Sequence, residues 1–231
     1  MMINDLKLGF KLFKYGIQSK SLIALFFVFT GLGIVMECFA TQSMDNMGGL
    51  YMVLCPIYFA QLLVTSTVSL YISSSPYKFK LQTTIPVTYN FLFMTATFGL
   101  FITIRFLRIY LFSEPSEELI KHALCGIIFV AFLVFVLQVY SVIAYRSFIL
   151  SLFVFLPAFV ITFVGQSFIS KRLDKFAFFG KLYNLNAVST VLIAVAFLVL
   201  GYVASYFLSQ ALYKYDLDPR TYKQALARVG R

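Results

Sequence analysis

Few side chains in this sequence are able to act as a nucleophile, a general base or a metal ligand. The 231 residues include one histidine (His122), three cysteines and nine acidic residues. A single histidine excludes a His-Glu-x-x-His zinc site within the chain, because that site needs two histidines on one helical face. No Gly-x-Ser-x-Gly turn, which presents a nucleophilic serine, occurs either. We therefore expect a protein that is not an enzyme and has no metal site of its own.

The remaining candidates for chemistry favour structural roles. Glu117 and Glu118, followed by His122, weakly resemble the paired-glutamate pattern of membrane CAAX-type proteases, but the arginine of that pattern is missing. The glutamate pair is expected in a loop rather than within a span, and His122 at an interface, so an intramembrane protease is not favoured. The cysteines lie in or beside apolar stretches without the paired spacing of a metal site, which indicates apolar packing. They are Cys38, Cys55 and Cys125.

Four residues within apolar stretches are candidates for a gate or an exit, because charge and proline are costly there. Glu37 is expected to extend its side chain to the membrane interface, with a place on a transport path as the alternative. Arg105 and Arg108 share one helical face and are expected either to reach the interface in the same way or to pair with acids of the following loop. Pro157 is expected to bend its helix. The loop acids are Glu114, Glu117 and Glu118.

The elements that position these residues are six apolar stretches, each long enough to cross a bilayer. A hydrocarbon core of about 30 Å needs roughly 20 helical residues. Hydrophobic residues make up 61% of the chain and charged residues only 12%, which is far below the charge content of a soluble domain. The sequence predicts an all-α, polytopic membrane bundle in one domain, residues 1–231. The predicted spans are residues 21–40, 50–72, 89–112, 122–144, 148–164 and 187–208.

The distribution of positive charge predicts the orientation of the bundle. Four lysines precede the first span, and the loop 41–49 after it has none. Lysine and arginine are enriched on the cytoplasmic side, so the N-terminus is expected there, and six spans return the tail 209–231 to the same side. The net charge of +10 is interpreted as serving orientation and contact with anionic lipid headgroups rather than nucleic acid. Four basic residues between the last two spans oppose this scheme, and we expect a folded outer segment there.

The first 20 residues are predicted to form an amphipathic helix in the cytoplasmic interface. Its apolar residues recur at helical spacing, and its lysines follow one position out of phase, so that the two groups form adjacent stripes. This pattern fits either a plain anchor or a lever that joins cytoplasmic machinery to the first span. The apolar residues are Leu6, Phe10, Phe13 and Ile17, and the lysines are Lys7, Lys11 and Lys14.

The loop between the second and third spans is predicted to contain a short helix over residues 75–86. Ser75 followed by Pro76 is a favourable helix start, and Pro86 disfavours helix at the residue before it. About two and a half turns fit between them, with Tyr77, Leu81 and Ile85 spaced by four on one face. Such a surface suits docking into a groove of another protein, and a plain interfacial loop is the alternative.

This loop carries a resemblance to a known family. The run KLQTTIPV at residues 80–87, directly after the second span, resembles the first coupling helix of ABC-2-type exporter permeases, which have a Leu-x-x-Thr-x-Pro-Val-like run there. The layout is similar as well: an amphipathic lead, six spans, a very short turn around Arg146 and a longer outer segment before the last span. The resemblance implies ATP-driven coupling through residues 76–82 and Arg146. In this loop these are Pro76, Tyr77, Lys78, Phe79, Lys80, Leu81 and Gln82.

The resemblance also implies partners. No phosphate-binding Gly-x4-Gly-Lys-Ser/Thr loop occurs, so ATP and Mg²⁺ would bind a separate ATPase subunit and this chain would hold no cofactor. A second permease subunit, identical or different, is implied, together with membrane lipids and no nucleic acid. Phe79 is expected to anchor the ATPase contact, and Lys78 and Lys80 to form its charged rim.

The expected activity is outward movement of hydrophobic or amphipathic cargo across the bacterial cytoplasmic membrane. Peptides such as toxins or antimicrobials are favoured, because the chain is similar in size and layout to the phenol-soluble-modulin exporters and its spans are rich in Phe, Leu and Val. Lipid-like compounds and drugs remain alternatives. A membrane immunity or sensor subunit that transports nothing is the rival class, and it would need no ATPase-docking helix.

Overall fold

The computed structural model describes residues 7, 9–11, 19–39, 46–59, 63, 75–111, 116–171, 180 and 184–219. The helices in these ranges are α1 (Ser19–Cys38), α2 (Met47–Leu54), α3 (Lys78–Gln82), α4 (Thr84–Leu111), α5 (Glu117–Ala144), α6 (Phe148–Lys171) and α7 (Ala187–Leu212). Of the predicted interfacial helix, Leu6, Phe13, Lys14 and Ile17 lie outside the described residues, as does Glu114.

Four of these helices are long and apolar enough to cross a membrane. They are α1, α4, α5 and α7, and two shorter apolar helical stretches cover Met47–Phe59 and Phe148–Thr162. Each helix satisfies its own backbone hydrogen bonds, which is the condition for crossing the hydrocarbon core. The chain is therefore a helical, multi-pass membrane protein. The number of six spans stays a prediction, because most of residues 60–74 lie outside the described part.

The start of α4 differs from the prediction. Pro86 was expected to end a helix, but it lies in the first turn of α4, and the preceding short helix α3 ends already at Gln82. Thr83 separates the two helices, with φ −125° and ψ −82°. Proline is tolerated in a first turn because its missing N–H would have no partner inside the helix. The predicted helix over 75–86 is thus a five-residue helix followed by a long one.

Side-chain caps explain where α5 and α7 begin. The Ser116 hydroxyl accepts a hydrogen bond from the Leu119 amide at 3.3 Å, and the Asn186 side chain accepts one from the Ser189 amide at 2.8 Å. Each cap satisfies one of the unpaired amides of a first helical turn. Glu117 and Glu118, which were expected in a loop, belong to the first turn of α5, where acidic residues favour the helix dipole.

Helix α5 lies at the centre of the bundle. It packs against α4, α6 and α7, and most of its side chains from Ala123 to Ile143 are buried. The main apolar core joins α5 to residues of α2, α4 and α7, and a second cluster joins α1, Phe59 and Leu63 to the α3–α4 junction. Close packing of this kind holds the ends of several helices at fixed mutual positions.

Candidate functional site

One end of the bundle gathers the two segments for which a coupling role was predicted. Helix α3, the start of α4, the turn between α5 and α6 and the end of α7 meet there, because α5 and α7 run toward this end and α4 and α6 run away from it. We call the surface formed by Tyr77, Phe79, Arg146, Tyr213 and Tyr215 the end surface.

Tyr213 is the residue that joins these segments. Its ring meets the Phe79 ring edge to face, with centroids 4.8 Å apart. The guanidinium carbon of Arg146 lies 5.7 Å from the centre of the same ring, within the range of a cation–π contact. Arg146 Nη1 also donates to the carbonyl oxygen of Tyr215. Phe79 and Arg146, which are 67 residues apart in the numbering, therefore lie on either side of one tyrosine.

The segment after α7 closes over the α5–α6 turn. The Asp218 amide donates to the Tyr145 carbonyl at 2.9 Å, and the Asp218 carboxylate accepts from the Phe148 amide at 3.2 Å. A carboxylate at the first amide of α6 is favourable because the N-terminus of a helix carries partial positive charge. Leu217, the residue before Asp218, is buried. The tail thus fixes the turn that carries Arg146.

The outward side of the end surface is aromatic and cationic. Tyr77 is 54% exposed and Phe79 is 42% exposed, and the Lys214 ammonium lies 5.1 Å from the centre of the Tyr215 ring. The prediction that Tyr77 shares one face with Leu81 and Ile85 is wrong: Leu81 and Ile85 are buried, whereas Tyr77 points outward. Tyr77 is the residue before the first residue of α3, and Leu81 and Ile85 are both buried although the break at Thr83 lies between them.

The described residues of the N-terminal segment approach the same end. The Phe10 ring packs edge to face on Tyr89 of α4, with centroids 5.6 Å apart, and Gly9 lies so close to the Tyr89 ring that a methyl group would collide with it. Lys7 and Lys11 are exposed. Phe10, predicted on the apolar stripe, contacts Tyr89 but is 64% exposed, so exposure does not separate it from Lys7 and Lys11 of the cationic stripe.

A buried ion pair lies toward the other end of the bundle. Arg105 Nε donates to Glu37 Oε1 at 2.7 Å, and Arg105 Nη2 donates to Glu37 Oε2 at 3.1 Å. Both side chains have 0% exposure. The guanidinium also lies 4.5 Å from the centre of the Phe101 ring. The expectation that Glu37 and Arg105 extend to the interface is therefore wrong: each is satisfied by the other inside the bundle, where an unpaired charge would be very unfavourable.

Asn46 and Arg108 extend this pair to further elements. Asn46 Oδ1 accepts from Arg105 Nη1 at 3.2 Å, and Asn46 Nδ2 donates to the Thr162 carbonyl of α6 at 3.4 Å. Arg108 Nη1 donates to the Glu37 carbonyl at 3.0 Å, near the C-terminus of α1, where a cation is favoured. The network connects α1, α4, α6 and the residue that precedes α2. Glu117 was one of the acids predicted to pair with Arg105 and Arg108. It forms an ion pair with Lys121 instead, at 2.7 Å.

A glycine makes room for this network. A Cβ atom on Gly48 would lie 2.7 Å from the Glu37 amide nitrogen and 2.8 Å from Glu37 Oε2. Such contacts are too short for any real side chain, so only glycine lets α2 approach α1 this closely. Pro157, the fourth gate candidate, lies inside α6 and is exposed.

Several residues of these sites were not predicted from the sequence. Tyr213 and Asn46 had no distinguishing pattern, and neither did Tyr145, whose hydroxyl is buried beside the end surface; this burial raises the pKa of that phenol above its ordinary value. One signal was present for the ion pair, because Glu37 and Arg105 are opposite charges near the same predicted side of their spans. Among the described residues no cluster of three or more His, Cys, Asp or Glu side chains forms a metal site.

The long apolar helices define this protein as a multi-pass helical membrane protein. It has an aromatic and cationic end surface and a buried ion pair between Glu37 and Arg105. Comparison with protein-family models, curated proteins and solved structures found no match.

Proposed function

We propose that this chain is the membrane-spanning subunit of an ATP-driven exporter, and that its end surface docks onto a separate ATPase subunit. The observation that carries the proposal is the meeting of Phe79 and Arg146 at Tyr213. The resemblance to ABC-2-type permeases named these two connections independently as coupling segments. Their convergence on one surface supports a single docking site that reaches several spans at once.

The packing behind the end surface supports transmission of a movement to the spans. Leu81 and Ile85 are buried against α1 and Phe59, so a force on α3 acts directly on that cluster. Arg146 and the Asp218 contacts connect the same surface to the starts and ends of α5, α6 and α7. An ATPase that pulled or rotated α3 would therefore move packed helices and not a loose loop.

The outer faces of α1 and α6 support a hydrophobic or amphipathic cargo and a second permease subunit. In the family that the chain resembles, the first, second and fifth spans meet their counterparts around the substrate path. Every described side chain that α6 exposes is apolar. On α1, the exposed large side chains are Leu25, Phe27, Val28, Leu32 and Val35. A path lined in this way offers no compensation for an ion or a sugar, whereas it suits an apolar peptide or a lipid-like molecule. In the proposed orientation the end surface and both termini are cytoplasmic.

The test is co-purification with a candidate ATPase subunit, such as one encoded by a neighbouring gene, from mild detergent and in the presence of ATP. Phe79→Ala and Lys80→Glu are expected to reduce the amount of bound ATPase strongly and to abolish ATP-dependent efflux from reconstituted vesicles. Tyr110→Ala is the matched control, since Tyr110 is an aromatic residue of similar exposure near the other end of α4. Full association in both variants, or a gene neighbourhood without an ATPase, contradicts the proposal.

A further inference from the structure

A small, partly open cavity lies directly behind the end surface. It has a volume of about 20 Å³ and is bounded by the α3–α4 junction, the end of α5, the α5–α6 turn and the end of α7. This volume is enough for one water molecule and too small for any larger ligand. The polar residues that line it are Gln82, Thr83, Ser141, Tyr145, Arg146 and Ser209.

Three hydroxyl groups around this cavity have complementary hydrogen-bonding capacity. Thr83 Oγ1 donates its proton to the Phe79 carbonyl at 2.6 Å, and Ser209 Oγ donates its proton to the Tyr206 carbonyl at 2.8 Å. A hydroxyl has one proton and two lone pairs, so both groups have only lone pairs left to offer.

Tyr145 is the opposite case, because its hydroxyl is buried and makes no hydrogen bond within the part of the chain that the structure describes. Its proton is still to be donated. These three hydroxyl groups therefore offer one spare donor and two spare acceptors.

We propose that this cavity is a binding site for one ordered water molecule, which accepts a hydrogen bond from Tyr145 and donates to Thr83 and Ser209. Three hydrogen bonds are the typical number for a buried water in a protein. The arrangement uses both protons of the water and satisfies the tyrosine, whose burial without a partner would be unfavourable. An apolar cavity of this size would stay dry, whereas this one presents polar groups from three segments.

The position of this water gives it a mechanical role. Thr83 is the residue at which the backbone leaves helical geometry between α3 and α4. Tyr145 precedes Arg146 in the α5–α6 turn, and Ser209 is in the last turn of α7. The water would link the three segments that carry the end surface. This inference is independent of what docks on the surface.

A double-mutant cycle on the full chain tests the site. Tyr145→Phe and Ser209→Ala are each expected to raise the unfolding equilibrium constant in detergent about fivefold, as for the loss of one hydrogen bond. The double variant is expected to be little worse than either single variant, because both substitutions disrupt the same water. Ser205→Ala is the control, because Ser205 is buried on α7, as Ser209 is, but does not line the cavity. In the double variant with Tyr145→Phe, the two changes in the unfolding equilibrium constant should therefore multiply.

A density map of the protein at high resolution completes the test. It is expected to show one peak within hydrogen-bond distance of the three hydroxyls, and this peak should be absent in Tyr145→Phe. Unchanged or increased stability of Tyr145→Phe overturns the proposal, because it shows that the Tyr145 hydroxyl makes no hydrogen bond to a water molecule. Coupling in the cycle without a density peak overturns it as well, because the two side chains then interact directly.

Discussion

Removal of the Glu37 carboxylate should destabilise this protein more than almost any other single polar substitution. Glu37→Gln keeps the shape of the side chain but removes the carboxylate with which the buried Arg105 guanidinium forms its ion pair. Both side chains have 0% exposure and share two hydrogen bonds of 2.7 Å and 3.1 Å. Breaking a buried pair by removing one partner costs about 3–5 kcal/mol. We expect a loss in this range for Glu37→Gln.

The double variant Glu37→Gln/Arg105→Gln separates the cost of removing one partner from the value of the pair. It removes both partners of the ion pair, and replacing both partners of a buried ion pair is often close to neutral. We therefore expect the double variant to be more stable than Glu37→Gln alone, with an interaction energy of about 2–4 kcal/mol between the two positions. A simple sum of the two single effects would show that the residues act separately.

Reversible unfolding in mixed micelles, followed by helical circular dichroism, measures these differences. The control is Glu117→Gln, which removes an acid from a pair on the exposed surface and should leave the transition unchanged within error. If Glu37→Gln is as mild as this control, the carboxylate is hydrated rather than buried. The network would then not hold α1, α4 and α6 together.

Three further predictions concern single positions. Gly48→Ala should destabilise the protein by about 1–3 kcal/mol because its methyl group would lie within 2.8 Å of Glu37. The control Gly99→Ala meets nothing within 4 Å and should be neutral or slightly stabilising. Chemical denaturation measures the stability of both variants. Asn186→Ala should cost about 1 kcal/mol by removing the cap of α7, measured in the same assay, and an unchanged midpoint would show that the cap contributes nothing. Burial raises the pKa of Tyr145, so this phenol ionises at a lower pH in the unfolded chain than in the folded one, and stability should fall as the pH rises above about 10. Tyr145→Phe should make this alkaline loss of stability smaller. An identical pH profile of the variant would show that the Tyr145 hydroxyl is not buried in the folded protein.

Hydropathy located most of the helices because a spanning helix must be apolar along its whole length. The predicted spans 122–144 and 187–208 fall within α5 and α7, and 89–112 overlaps α4 closely. The error at Pro86 has a local cause: the residue before a proline disfavours helix, but a proline is equally compatible with the first turn of a new helix. Sequence alone does not decide between these two meanings.

The polar sites depended on contacts that the sequence does not encode locally. Glu37 and Arg105 are 68 positions apart, and Phe79 and Tyr213 are farther still. A charge near the end of an apolar stretch looks the same whether it reaches outward to the interface or inward to a partner. The outcome is decided by the close approach of α1 and α2 at Gly48 and by the distance of each residue along its helix, which only the packed bundle determines.

Site-specific crosslinking in intact cells tests the central claim most directly. A photoreactive amino acid at position 79 is placed on the end surface, and the same amino acid at position 110 reports on the other end of α4. The account predicts an adduct at position 79 that contains an ATPase with a phosphate-binding loop, and no such adduct at position 110. Recovery of the folded, membrane-inserted protein without any ATPase adduct at position 79 would contradict it.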